Sequence, residues 1–117
     1  MPEQTIHFPQ IMGGVDIQYL IGKNAKDNFR IIDLAKPTDI WFHVEDKPSC
    51  HVIAIIPEGG STKDVRYIIK QGAVLCKQHS KYASEKNLPI IFTTIDNVVK
   101  TDTPGSVETR CVKRVFI

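Results

Sequence analysis

A chain of 117 residues, 42% hydrophobic and 24% charged, fits one domain with a single core and needs no disulfides to hold it together. No apolar run approaches the roughly 20 residues of a membrane span, and the opening MPEQTIHFPQ lacks the basic start and apolar centre of a signal peptide. The net charge of +2 divides unevenly: residues 1–62 hold five Lys/Arg against eight Asp/Glu, and residues 63–117 hold ten against five. That asymmetry suits an anionic partner for one face, while dipoles of this size also occur in proteins that bind nothing charged. The expectation is a cytoplasmic protein in a reducing compartment. Its three cysteines, Cys50, Cys76 and Cys111, are widely spaced among apolar neighbours and read as small buried side chains, not as a disulfide framework.

In chain order, IHFPQIM and VDIQYLIG flank Gly13-Gly14 and suggest an N-terminal hairpin, with Pro9 keeping the first run at an edge. Asn24 can cap a short helix through about Ala35, its inner side formed by Phe29, Ile32 and Ala35 or Ile31. Lys36-Pro37 ends it, because the residue before a proline avoids helical geometry. DIWFHV and CHVIAII then form a hairpin around EDKPS, stopped by Pro57 and Gly59-Gly60. Ser61 or Thr62 caps a long helix reaching roughly to Glu85, which Asn87, Leu88 and Pro89 close. PIIFTTI reads as a buried strand, and a loop around TDTPGS leads into a final strand, VETRCVKRVFI. Helices and strands do not alternate as a doubly wound sheet requires. The predicted class is α+β: a single compact domain with a mostly antiparallel sheet, one short helix and one long helix.

The long helix has two faces. Val65, Ile68, Ile69, Gly72, Ala73, Cys76 and Ala83 follow three-and-four spacing and make a buried stripe. At about 100° per residue, Lys63, Arg66, Lys70, Lys77 and Lys81 share a narrow arc on the far side. Solvated faces usually mix signs to gain pairs one turn apart, and this one does not. Two readings stand: a merely soluble face, or a track for phosphates in which cations supply affinity without sequence specificity.

The stretch DIWFHVEDKPSCHV holds the only tryptophan and two of the four histidines. In a strand, Ile40, Phe42 and Val44 point one way, towards the core, and Trp41 and His43 the other. Trp41 either stacks on a base or ribose or closes a second, smaller core with its indole N–H hydrogen-bonded; a lone aromatic favours the second. His43 and His51 face each other only in some hairpin registers. Zinc needs four ligands, or three plus water, and only Asp39 and Cys50 lie near the histidines, without metal-ligand spacing, so no metal is expected. Cys50 with His43 or His51 lacks an evident oxyanion donor or a third orienting group, so no catalytic residue and no cofactor are expected either.

The segments IGKNAKDN (21–28), PTDIWFHV (37–44) and PSCHV (48–52) resemble the NFACT-R domain, the RNA-binding module of NFACT proteins. Gly22, Asn24 and Asn28 match the start of the family pattern. Asp39, Ile40, Trp41, Phe42 and His43 match its D-I-W-F-H, and Pro48, His51 and Val52 match its P-G-S-H-V. Ser80 and TPGSV (103–107) fit the layout further on, and the resemblance runs from about residue 15 to the end. Ser49-Cys50 stand where the family has Gly-Ser, and Ser49 does not favour the positive φ or close phosphate approach that a glycine allows.

The resemblance implies a stand-alone domain, residues 1–117, that binds nucleic acid without catalysis. RNA is the expected ligand, tRNA or rRNA, with DNA open, and a ribosome or protein partner is in keeping with ribosome-associated quality control. The family's large members carry further domains that extend stalled chains; nothing in this sequence supplies those, and that activity is not transferred. Trp41, His43, His51 and Asp39 then shape a surface pocket beside Asn24 and Asn28, with Phe42 and Pro48 as structural parts of the motif. The alternatives are an enzyme acting on nucleic acid or nucleotides through His43, His51 and Asp39, and a protein-docking domain.

Overall fold

The computed structural model describes residues 3–8, 17–22, 24–56 and 62–117, with the backbone alone for 3–8 and 62–64. Pro9, Gly13-Gly14, Pro57, Gly59-Gly60, Ser61 and the side chains of Thr62 and Lys63 therefore lie outside the described residues. The elements are β1 (Glu3–Phe8), β2 (Ile17–Gly22), α1 (Ala25–Leu34), β3 (Ile40–Val44), β4 (Val52–Ile55), α2 (Thr62–Gln78), β5 (Pro89–Thr94), a 3-10 turn (Ile95–Asn97), β6 (Val98–Lys100), β7 (Val107–Thr109) and β8 (Lys113–Phe116). Six strands form one sheet in the order β1-β2-β4-β3-β5-β8, every neighbouring pair antiparallel, and β6 and β7 make a separate ribbon. The α+β expectation, the N-terminal hairpin pairing and the β3–β4 hairpin hold.

Alternation along the strands sorts the core into two layers. Tyr19, Phe42, Val44 and Val52 face α2, where they meet Ile68, Ala73, Leu75 and Cys76. Gly72 is part of this fit, because a Cβ there would stand 2.3 Å from the Phe42 ring. Tyr19 adds a hydrogen bond from its hydroxyl to the Ile68 carbonyl, 3.0 Å across the same interface. On the opposite face Leu20, Trp41 and Ile53 pack under Ile31 and Ile32 of α1, with Ile95 and Val98 closing the layer. Asn24 caps α1 by accepting from the Asp27 N–H at 2.9 Å, as its sequence position suggested. Asp39 is fully buried: its carboxylate accepts from the Lys36 N–H at 2.7 Å and the Ile56 N–H at 2.9 Å, bracing the entry to β3.

Three expectations are corrected. Helix α2 ends at Gln78, a full turn or more before Glu85. The Ser80 hydroxyl donates to the Lys77 carbonyl at 2.7 Å and the Ser80 N–H bonds the same oxygen at 3.1 Å, taking the acceptor that a further helical turn would need. Ala83, placed in the buried stripe, is therefore exposed. The final strand is two strands: Cys111 adopts a left-handed φ of 55°, so β7 turns away to pair with β6 while β8 pairs with β5. The cysteines also differ from one another. Cys76 is buried, Cys50 is half-buried, and the turn leaves Cys111 exposed.

Candidate functional site

The β3–β4 register pairs Ile40 with Ala54, Trp41 with Ile53 and Phe42 with Val52. Carried one step further, it sets His43 opposite His51, and their ring centroids are 5.1 Å apart. His51 is 1% exposed and works as a hub. Its Nδ1 accepts from the Trp41 indole N–H at 3.2 Å, and its ring also bonds the Gly105 backbone. Accepting on one nitrogen and donating to a carbonyl with the other requires a neutral ring. Burial first, and the nearby His43 second, push its pKa down to about 3, against the Gly105 bond that pulls it up. The main chain of His51 is held as firmly: its N–H donates to Asn28 Oδ1 at 3.1 Å and its carbonyl accepts from the Gly22 N–H at 3.0 Å.

These bonds explain the spacing of the motif residues. Gly22 has no side chain because a Cβ there would stand 2.1 Å from Asn28 Oδ1. Gly105 is at φ 82°, and a Cβ on it would come within 2.9 Å of Ala25 at the start of α1. The chain Trp41–His51–Gly105 thus pins the Pro104-Gly105-Ser106 loop over the N-terminus of α1. Trp41 is 2% exposed and lies beneath His43, the two rings stacked at 5.6 Å and 6°. In this arrangement the tryptophan supports His43 and is itself covered. His43 Nδ1 lies 2.6 Å from the Val44 carbonyl, which can only accept, so Nδ1 carries the proton. Burial lowers the His43 pKa in spite of that bond, which leaves a neutral ring with Nε2 as a free acceptor.

Around this hub opens a cleft of about 650 Å³ at the end of the sheet. Asn24 at the cap of α1 and Asn28 within it form one wall, His43 and Pro48 of the hairpin another, and Gly105 and Ser106 of the loop a third; the turn after α2 supplies His79, Ser80 and Lys81. The structure therefore gathers Asn24, Asn28, His43, Pro48 and Lys81, with His51 just behind them. It does not gather Asp39, which sits at the other end of β3, nor Phe42, which belongs to the core facing α2. Of the basic arc, Arg66 and Lys70 are exposed on α2. Lys77 is half-buried and donates to the Ile117 carbonyl at 2.9 Å. His79 was not singled out in the sequence, and nothing in its neighbours marks it: Ser80 stops α2 only through its hydrogen bond to the Lys77 carbonyl. Ser49 fills the family's glycine position without a positive φ, its hydroxyl accepting from the Val44 N–H at 3.2 Å and donating to the Cys50 carbonyl at 3.0 Å. Among the described residues no three His, Cys, Asp or Glu side chains gather as a metal site, and no helix is long and apolar enough to cross a membrane.

Comparison with known proteins agrees with the motif. Residues 10–110 match the family described as the NFACT protein RNA binding domain. Coiled-coil domain-containing protein 25 of Danio rerio is 31% identical over 83 residues, 69% of this chain and 40% of that protein. The Rqc2 homolog RqcH of Bacillus subtilis is 29% identical over 101 residues, 84% of this chain and 17% of that protein. This chain thus spans less than half the length of these relatives. The C-terminal part of the fibronectin/fibrinogen-binding protein from Streptococcus suis shares the fold, with a TM-score of 0.78 over 99% of this chain and 44% of that one, at 24% identity.

Proposed function

The chain belongs to the family of NFACT RNA-binding domains, and from that premise we propose that it is a non-catalytic module that holds RNA in the cleft at the end of its sheet. The observation that supports this reading most is the set of groups converging there. Lys81 offers a cation for phosphate, the Ser106 hydroxyl can accept or donate, and His43 Nε2 can accept from a ribose 2′-hydroxyl. A volume of about 650 Å³ lies in the range of pockets that take a small organic group, such as one nucleotide. Arg66 and Lys70 on α2 would extend the phosphate contacts beyond it. Asn24 and Asn28 shape the wall, and Trp41 and His51 keep it in place.

A non-catalytic role suits the histidines. Both ring nitrogens of His51 are engaged, and the Asp39 carboxylate is committed to backbone N–H groups at the far end of β3. The RNA we favour is tRNA or rRNA, in the cytoplasm, and through it the ribosome and the quality control of stalled translation.

The test is a fluorescence-anisotropy titration against tRNA, single-stranded RNA and duplex DNA at several salt concentrations. Wild type would be compared with an Arg66/Lys70/Lys81→Glu variant. RNA affinity should fall with salt, and the variant should lower the slope of log K against log salt by about 2. Preference for RNA over DNA of the same sequence should shrink in His43→Ala. Equal affinity of wild type and the triple variant for every RNA would sink the interface, and turnover of RNA abolished by His51→Ala would favour the enzyme reading.

A further inference from the structure

Cys50 and Cys76 meet where the hairpin loop touches the end of α2. Each sulfur lies 3.9 Å from the other residue's carbonyl oxygen. The early stop of α2 makes this possible: the Ser80 N–H goes to Lys77, which leaves the Cys76 carbonyl free to accept the Cys50 S–H. Ser49 fixes the other half through its hydrogen bond to the Cys50 carbonyl. The two thiols differ in access, since Cys50 is half-buried and lines the cleft while Cys76 is fully buried behind it. That is the arrangement of an attacking and a resolving thiol.

We propose that Cys50 and Cys76 form a reversible two-thiol oxidation site in the wall of the cleft, with hydrogen peroxide as its substrate. The Cys50 sulfur attacks one peroxide oxygen; the O–O bond breaks, giving the sulfenic acid, and the departing hydroxide leaves as water with the thiol proton. The Cys76 sulfur then attacks the Cys50 sulfur; the S–O bond breaks and a second water leaves with the Cys76 proton. Two electrons pass from the two sulfurs to the peroxide, and one disulfide and two waters result. The neighbouring Cys76 thiol holds Cys50 below the ordinary thiol range and so supports its role as the attacking partner, while the Cys50 thiol and burial push Cys76 up. The proposal is independent of whether the cleft binds RNA.

The test treats the folded protein with hydrogen peroxide, quenches it, unfolds it in guanidinium, and alkylates with N-ethylmaleimide before mass spectrometry. Reduced protein takes three labels, one for each cysteine. Oxidised protein should take one, at Cys111, with a linked Cys50–Cys76 peptide, and dithiothreitol should restore all three. Cys76→Ser should stop at a Cys50 sulfenic acid that dimedone captures, and Cys50→Ser should lose both products. Because the mapping is done on wild type, it stands even if a variant folds poorly. Links through Cys111, or oxidation of Cys50 with Cys76 still labelled, would overturn the pairing.

Discussion

Acidification should loosen this fold through His51, and the structure sets the size of the effect. The ring is neutral in the folded chain, with its pKa near 3, whereas in the unfolded chain it takes a proton near 6.5. Between those values the unfolded state holds the extra proton, so stability is complete above about pH 6.5 and falls as pH drops towards 3. The slope approaches about 1.4 kcal/mol per pH unit, and from pH 6.5 to 4.5 the loss from this one ring is about 2 kcal/mol. His43, whose pKa is also lowered, adds to the loss in the same sense. The assay is urea unfolding at half-unit steps of pH, on wild type and His51→Gln. Glutamine will change stability at every pH; the informative quantity is the difference in slope. If the two proteins lose stability in parallel between pH 6.5 and 4.5, His51 is not the buried neutral hub described here.

Gly22→Ala should force the Asn28 carboxamide off the His51 N–H and cost about 1–3 kcal/mol in a urea melt, with a loss under 0.5 kcal/mol counting against the latch. Trp41→Phe leaves His51 Nδ1 without its donor, at a cost of about 2 kcal/mol, and should raise hydrogen exchange at Gly105 and Ser106; unchanged exchange there would break the link to the loop. Lys77→Met should leave the salt slope of RNA binding as it is, because that ammonium is tied to Ile117, whereas Lys70→Glu should lower it; equal slopes for the two variants would contradict the division of the arc.

The parts of the fold legible in the sequence were those set by local periodicity. Alternation along residues 40–44 separated the two faces of β3 correctly, and Asn24 marked the start of α1. The end of α2 was not legible, because Ser80 can sit within a helix and stops this one only by turning its hydroxyl back on Lys77. Strand β6 escaped because three residues, two of them exposed, become a strand only through pairing with β7. At Cys111 nothing in the residue type announces a left-handed turn.

For the site, the cluster of Trp41, His43 and His51 was visible, and so was the preference for a hydrogen-bonded indole. The partner that completes the chain was not, since Gly105 is brought in from a distant ribbon. Lys77 looked equivalent to Lys70 on the helical wheel, and only the tertiary position of Ile117 separates them.

The Trp41–His51–Gly105 connection also has a consequence for when the cleft exists. Its ends stand more than half the chain apart, and closing so large a loop is entropically unfavourable until the sheet beneath it has formed. Local hairpins and α1 can assemble early; the cleft cannot, because one wall arrives with residues 104–106. During synthesis on the ribosome, a chain that has emerged only as far as β5 has most of its core and an incomplete cleft. The cleft is therefore completed at the close of folding, and a chain halted before Gly105 would lack one of its walls.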